Sequence, residues 1–237
     1  MKIVVVGDIH GRTVWKDILD KEQPDRVVFL GDYVSTHDNV SSDQQISNLL
    51  DILRLKETNP DRVTLLRGNH DIQHLGYWWA DCCDLDNNVL QFMSTPDCRE
   101  RFLADTSWVS EFSIESEKVV CSHAGISKVW MEQNNLLELD DINQTPPSVV
   151  FSFIPASFFD RDGSSITQGC TWIRPSALTE CHIDGYTQIV GHTKFKKIYR
   201  HQIKGSDNSL WFCDTLHIPA YLVIENGMFQ PKILNVV

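Results

Sequence analysis

The stretch Ile3-Val4-Val5-Val6-Gly7-Asp8-Ile9-His10-Gly11 joins a run of β-branched residues to two metal-competent side chains across a single glycine. An unbroken apolar run of this length, closed by a glycine turn, reads as a strand buried on both faces. The pattern recurs along the chain. Gly31-Asp32-Tyr33 follows Arg26-Val27-Val28-Phe29-Leu30, and Gly68-Asn69-His70-Asp71 follows Val63-Thr64-Leu65-Leu66. Ser122-His123-Ala124-Gly125 and Gly191-His192-Thr193 close two further apolar runs. Asp8, His10, Asp32, Asn69, His123 and His192 are therefore all delivered at strand ends, where an open α/β sheet gathers its functional groups. Oxygen and imidazole donors without thiolate suit a divalent ion such as Mn, Fe, Zn or Mg.

Composition narrows the class. At 237 residues and 42% hydrophobic content the chain can bury a full core. Ligands running from Asp8 to His192 argue for one domain over residues 1–237. The net charge of -11, with no clustered Lys and Arg evident, argues against binding duplex nucleic acid. It leaves small phosphorylated substrates open, because bound cations reverse the local field. The seven cysteines form no CxxC pair, which fits reduced thiols in a cytoplasm and excludes a zinc finger by spacing. Ile3 to Val6 is too short for a signal-peptide core, and no later run approaches a membrane span. A soluble, cytoplasmic protein without membrane association is expected.

The first third alternates strand and helix. Ser42-Asp43-Gln44-Gln45 has capping-box spacing, and Ile46, Leu49, Leu50 and Leu53 mark one apolar helix face, stopped at Asn59-Pro60-Asp61. A parallel strand–helix–strand order follows. Residues 72–108 read as short helices forming a cap, in which Trp78, Trp79 or Trp108 could stack on a base, or Trp78, Trp79 and Phe92 could simply form the cap's own core. Residues 136–170 read as a second, irregular insertion. The last quarter alternates strands from Thr187 to Leu234, with Asn226-Gly227 as a two-residue hairpin turn. A parallel first half and an antiparallel second half predict two mixed sheets packed together with helices outside.

Asp8 and His10 are two residues apart, so extended geometry past Gly7 would turn both side chains to one side. The two oxygens of Asp32 could bridge two cations, with Asn69, His123 and His192 completing the second. Paired ions about 3.5–4 Å apart clamp a phosphoryl group and activate water for in-line displacement. Singly, each motif has an ordinary structural explanation, Asp32 as a turn residue for instance. Five together point to a metal site. The Val4-Val5-Val6-Gly7 opening also suggests a dinucleotide-binding turn, but Asp8 and His10 stand where that turn needs smooth backbone approach.

In this order the motifs Gly-Asp-x-His-Gly, Gly-Asp-Tyr-Val, Arg-Gly-Asn-His-Asp, Ser-His-Ala-Gly and Gly-His-Thr resemble the calcineurin-like metallophosphoesterase superfamily, in its phosphoprotein-phosphatase branch of bacterial and phage type. The resemblance, from Gly7 to about Asp214, implies an α/β fold, a four-layer αββα sandwich with a dinuclear centre. By the same resemblance Asp8, His10 and Asp32 bind one metal, and Asp32, Asn69, His123 and His192 the other. The ions would be Mn first, with Fe, Zn, Mg or Ni as alternatives. His70 would donate a proton to the leaving group. Asn69 and Arg174, the latter in Thr171-Trp172-Ile173-Arg174, would contact the phosphate. Lys194 stands where other branches carry a further His, so the first ion would hold more water.

The chain also departs from that pattern. Relatives read Gly-Asp-x-Val-Asp-Arg-Gly at the second motif, where this chain has Ser35-Thr36-His37-Asp38. Asp38 or Asp71 is left to orient His70. Arg12 and Arg67 adjoin the site only by sequence, and Arg67 could equally brace its loop through an ion pair. His37, His74, His182, His201 and His217 match no ligand position. The expected activity is a metal-dependent phosphohydrolase that uses metal-bound hydroxide at a dinuclear centre without a covalent phosphoenzyme. Its substrate would be a phosphorylated small molecule, nucleotide or phosphoprotein, the lost Arg and the aromatic-rich cap favouring the small molecule or nucleotide. A dinucleoside polyphosphate hydrolase or a phosphodiesterase shares this core, and a non-catalytic partner-binding scaffold is the alternative of another class.

Overall fold

The computed structural model describes residues 1–35, 38–80, 82, 84–151 and 163–235. Thr36, His37, Cys83 and the stretch Asp160-Arg161-Asp162 lie outside the described residues. In chain order the strands are β1 (Lys2–Val6), β2 (Arg26–Phe29), β3 (Val63–Leu65), β4 (Val109–Ile114), β5 (Glu117–Ser122), β6 (Thr187–Val190), β7 (Tyr199–Gln202), β8 (Ser209–Phe212), β9 (Ala220–Glu225) and β10 (Met228–Ile233). The helices are α1 (Trp15–Glu22), α2 (Ser42–Thr58), α3 (Asn69–His74), α4 (Asn87–Met93), α5 (Pro96–Asp105), α6 (Lys128–Gln133), α7 (Leu139–Gln144), α8 (Pro147–Val150) and α9 (Pro175–Glu180).

Two five-stranded mixed sheets result, ordered β10-β9-β1-β2-β3 and β4-β5-β6-β8-β7. The β1–β2, β2–β3, β5–β6 and β6–β8 pairs are parallel. Alternation along the strands sorts the layers. Ile3 and Val5 pack between the sheets with Val119, Cys121, Ile189 and Trp211. Val4 and Val6 face the other way, in the core that contains Ile18 of α1 and Leu49 and Ile52 of α2. On the second sheet Leu210 and Phe212 pack against Ala177 and Leu178 of α9. Helix, sheet, sheet, helix is the expected four-layer order. Each such side chain, fully buried, is worth about 1.5–3 kcal/mol.

Some expectations are corrected. The cap of α2 is Ser41, whose side chain accepts from Gln44 N. Ser42 instead donates to Asp86, and the Gln45 side-chain oxygen accepts from Ser35 N at 2.8 Å, so tertiary bonds shift the cap by one residue. Strand β4, paired with β5, was not expected; its turn, Glu115-Ser116, lacks the Asn-Gly signal that marks the β9–β10 hairpin. Within residues 72–108 the chain forms α4 and α5 after the end of α3, and residues 136–170 include α7 and α8. Trp108 is fully buried, with the Arg67 guanidinium 4.8 Å from its ring, so it cannot stack on a substrate. Trp79 stacks on Tyr77, and Trp78 is 92% exposed. No helix among the described residues is long and apolar enough to cross a membrane.

Candidate metal centre

Six parallel-running strands, β1, β2, β3, β5, β6 and β8, send their C-terminal ends to one place, and the predicted ligands meet there. Strand geometry does not persist past Gly7: β1 ends at Val6, and His10 lies at φ 46°. The turn, not extended backbone, brings His10 beside Asp8. Backbone bonds hold it there, His10 N to Asp32 O at 2.7 Å and Gly11 N to Tyr33 O at 2.9 Å. Asp32 and His192 also have positive φ, 49° and 63°. Left-handed backbone costs a non-glycine residue about 1–2 kcal/mol, and such strain collects at functional sites.

Asp8, His10 and Asp32 each offer a donor atom within 4.8 Å of the others. His10 Nε2 is 3.9 Å from Asp8 Oδ2 and 3.9 Å from Asp32 Oδ2. A second group adjoins the first. Asn69 Oδ1 lies 3.0 Å from His123 Nε2 and 3.0 Å from His192 Nδ1, and Asp32 Oδ2 is 3.4 Å from His123 Nε2. Asp32 Oδ2 faces both groups, while Oδ1 accepts the backbone N–H of His70 at 3.0 Å.

Second partners orient the imidazoles. His10 Nδ1 donates to the Ser35 carbonyl and His123 Nδ1 to the Leu30 carbonyl, 2.8 Å away. Each Nε2 lone pair is thereby turned into the centre. Asp8 accepts the His192 N–H through both oxygens at 3.0 Å, stitching one sheet to the other. Two glycines make room for the carboxylates. A Cβ on Gly191 would fall 2.0 Å from Asp8 Oδ1, and one on Gly68 would fall 2.0 Å from Asp32 Oδ1.

The residues fit divalent cations. Asp8 and Asp32 are 1% and 2% exposed, a burial that is costly for paired carboxylates without a compensating charge. Burial raises the Asp8 carboxyl well above the usual range, with Asp214 adding to it. Burial acts on Asp32 too, but His123, His70 and His10 hold it below that range. Burial pulls His10 down to about 4, which keeps its ring neutral as a ligand must be. His123, although burial opposes its charging, is carried up to about 10 by Asp32 and Asp8. Its proton stands where a cation's charge would otherwise sit, and metal binding would release it. His192 Nε2 is buried without a hydrogen-bond partner among the described residues.

Around this centre the other predicted residues divide. His70, half-buried, places its ring 5.6 Å from that of His10, edge to face. Asp71 does not orient it. Its carboxylate accepts from Asp32 N, Tyr33 N and Gly68 N, each at 2.8 Å, bracing two ligand loops. Burial and the Asp32 charge push Asp71 up to about 7 despite those bonds. Asp38 pairs with Arg12 at 2.7 Å. Cys82 Sγ lies 3.9 Å from His70 Nδ1 and 3.7 Å from Asn69 Nδ2. Arg67 braces its loop through the Leu103 and Thr106 carbonyls and Thr106 Oγ1 rather than through an ion pair. Arg174 reaches Thr193 Oγ1 at 3.1 Å and the His192 carbonyl at 3.4 Å, beside the second group. His74 is structural, its Nδ1 2.7 Å from the His70 carbonyl and its Nε2 accepting from Asp86 N.

The sequence reading missed Asp214, 2% exposed, which burial and Asp32 push up to about 6. It too follows a strand, β8, but without the glycine that flagged the others.

A family profile described as "Calcineurin-like phosphoesterase" matches residues 1–214. The chain belongs to the calcineurin-like phosphoesterase family. It is 28% identical over 169 residues to a protein phosphatase 2A catalytic chain of Dictyostelium discoideum, a match covering 68% of this chain and 50% of that protein. The matched part thus spans about half the length of that relative. Among solved structures the fold is similar to a cold-active protein-tyrosine phosphatase of a psychrophilic Shewanella species, at TM-score 0.65 and 18% identity, covering 98% of this chain and 77% of that one. A protein serine/threonine phosphatase of Saccharomyces cerevisiae gives TM-score 0.61 at 13% identity, covering 100% and 81%. At these identities the structures speak for the fold alone.

Proposed function

We propose that the chain is a metal-dependent phosphomonoesterase working through two divalent cations, manganese foremost, without a covalent phosphoenzyme. The observation that carries this reading is the convergence of Asn69 Oδ1, His123 Nε2 and His192 Nδ1 beside the Asp32 oxygen that also faces His10. When bound, the cations would supply charge to activate water and to neutralise phosphoryl oxygens. Asp8, His10 and Asp32 would hold one, and Asp32, Asn69, His123 and His192 the other.

The chain's own groups do the rest. Asp71 and the Gly68 turn hold the Asp32 and Asn69 loops in register. Arg174, anchored on Thr193, is placed to bind a phosphate oxygen with its planar fork. His70, tied by its backbone N–H to Asp32, presents a half-exposed imidazole for proton donation to the leaving oxygen. Membership in the family and likeness to a protein phosphatase catalytic chain support a phosphoprotein substrate. The thiols of Cys98, Cys121, Cys170, Cys181 and Cys213 are unpaired, which supports a reducing compartment such as the cytoplasm.

The test is a substrate panel on metal-loaded protein: an aryl phosphate, an aryl phosphodiester, a phosphopeptide and a dinucleoside polyphosphate. Faster cleavage of the monoesters supports the proposal; preference for the diester or the polyphosphate assigns the same centre to those chemistries instead. No cleavage of any of them would leave a partner-binding scaffold. His70→Ala should slow an alkyl phosphate roughly 10²–10⁴-fold while sparing an activated aryl phosphate. Equal damage to both removes the proton-donor role.

A further inference from the structure

Residues 194–204 read Lys194-Phe195-Lys196-Lys197-Ile198-Tyr199-Arg200-His201-Gln202-Ile203-Lys204. Five of the 21 Lys and Arg residues fall here with no acidic residue among them, in a chain holding 32 Asp and Glu. The overall charge conceals this cluster, so the expectation of unclustered cations is corrected. The segment leaves the metal centre two residues after His192, and its strand, β7, is the outer edge of the second sheet, paired among the described residues only with β8. Tyr199 pairs with Phe212, whose strand leads through Cys213 to Asp214. The Tyr199 end of β7 is thus the end near the centre.

Lys194, Lys196, Lys197, Arg200 and Lys204 are exposed, and none of them forms an ion pair with an acidic side chain among the described residues. Arg200 is held over Trp211 by Ser209 and Gln202, and Lys194 lies near enough to Asp38 and Asp214 to favour their charged forms, so Lys196, Lys197 and Lys204 are the charges that face outward. Edge lysines can simply deter strand-to-strand aggregation. Two observations go beyond that role. Lys194, Lys196 and Lys197 precede β7 and continue the charge towards the centre, and Tyr199, 42% exposed, stacks with Phe195 and Phe212 to give the strip an apolar floor.

We propose that β7 and its lead-in dock an acidic segment of a phosphoprotein substrate, added as a strand along the β7 edge with its carboxylates over Lys194, Lys196 and Lys197. An unpaired strand edge complements peptide backbone, whose alternating N–H and C=O groups a nucleic-acid backbone does not offer. Phe195 N donates to the Asp214 carbonyl at 3.1 Å, which sets the lead-in beside the centre, and a phosphorylated side chain adjoining the docked segment would lie near it. The assignment deepens the phosphoprotein reading above and rests on it for the identity of the bound chain; the docking itself requires no turnover.

The test compares a phosphopeptide with Asp-rich flanks against the same peptide with Ala flanks, on the wild-type chain and on Lys196→Glu/Lys197→Glu, which keeps the edge charged. The Asp-rich peptide should show the lower KM, and the variant should raise that KM about tenfold, leaving kcat and aryl phosphate kinetics unchanged. Anisotropy of a labelled, unphosphorylated Asp-rich peptide should show binding that weakens between about 50 and about 300 mM salt. Equal KM for both peptides, with normal aryl phosphate hydrolysis, overturns the docking surface and leaves the hydrolase reading intact. Charge-dependent peptide binding by a metal-loaded chain that cleaves no phosphoester sinks the hydrolase reading and leaves the surface standing. Tighter binding of single-stranded RNA or of anionic lipid vesicles than of the Asp-rich peptide also overturns the proposal.

Discussion

Asp8 and Asp32 rest on glycines contributed by other motifs, with no room for a Cβ at Gly191 or Gly68. Gly191→Ala puts a methyl group 2.0 Å from Asp8 Oδ1, so either the carboxylate or the His192 turn must move. Overpacking of this kind costs about 1–3 kcal/mol, and elemental analysis should find the variant depleted in metal while circular dichroism shows a folded chain. Full metal content would show that Asp8 is not needed in that position. Asp71→Asn tests the brace. An amide can accept with only one of its two ends, so at least one of Asp32 N, Tyr33 N and Gly68 N loses its acceptor, for about 1–3 kcal/mol of stability and a matching loss of metal affinity. At this scale the six candidate ligands were legible as a group that converges, because each pairs a coordinating side chain with a strand-ending turn. Asp71 was not, since its role is to accept from backbone amides far along the chain, which no spacing reveals. Trp108 misled because an aromatic residue in a cap reads the same whether it faces substrate or is buried.

Helix α1 is tied to the first sheet by one buried carboxylate. Glu22 accepts from Tyr221 of β9 at 2.8 Å and from Lys232 of β10 at 3.0 and 3.2 Å, with Lys2 of β1 at 3.6 Å. Burial works to raise its pKa, but the bonds from Lys232 and Tyr221 and the two ammonium charges outweigh it, holding the carboxyl below its usual value. A depressed folded pKa contributes stability that is present above the unfolded pKa, near 4.3 by about one unit either way, and lost as pH falls through the folded value. Thermal melts of wild type and Glu22→Gln should therefore differ most near neutrality, by about 1–3 kcal/mol, and converge in acid. A gap independent of pH would mean that Glu22 acts by packing rather than by charge. The elements themselves were readable where period and turn chemistry agreed, as in β1, α2 and the β9–β10 hairpin. The β4–β5 hairpin escaped because Glu115, at φ 53°, occupies a conformation that asparagine or glycine usually announces.

Across the whole molecule, two mixed sheets are joined at one end by the ligands: His192 N–H to Asp8, His123 Nδ1–H to the Leu30 carbonyl, and Asp32 facing His123. Any cation held there binds the folded chain and not the unfolded one. Chelation should lower the melting temperature, and readdition of metal at about 100 times Kd should restore about 2.7 kcal/mol. A melt indifferent to chelator would mean that the centre adds nothing to the joint. Two packed sheets with helices outside were legible from the strand pattern, and the four-layer order from the family resemblance; the parallel β5–β6 and β6–β8 pairs in the half expected to be antiparallel were not, since pairing partners far apart in sequence leave no turn signal, nor was the basic edge, because a sum over the chain hides a local excess. The stitching of Asp8 to His192 carries one more consequence. No single sheet owns a complete pocket, so a polypeptide whose halves have mated out of alignment cannot load its ions. Catalytic competence would then certify correct assembly, and the fraction of molecules able to turn over would equal the fraction whose halves had closed in proper alignment.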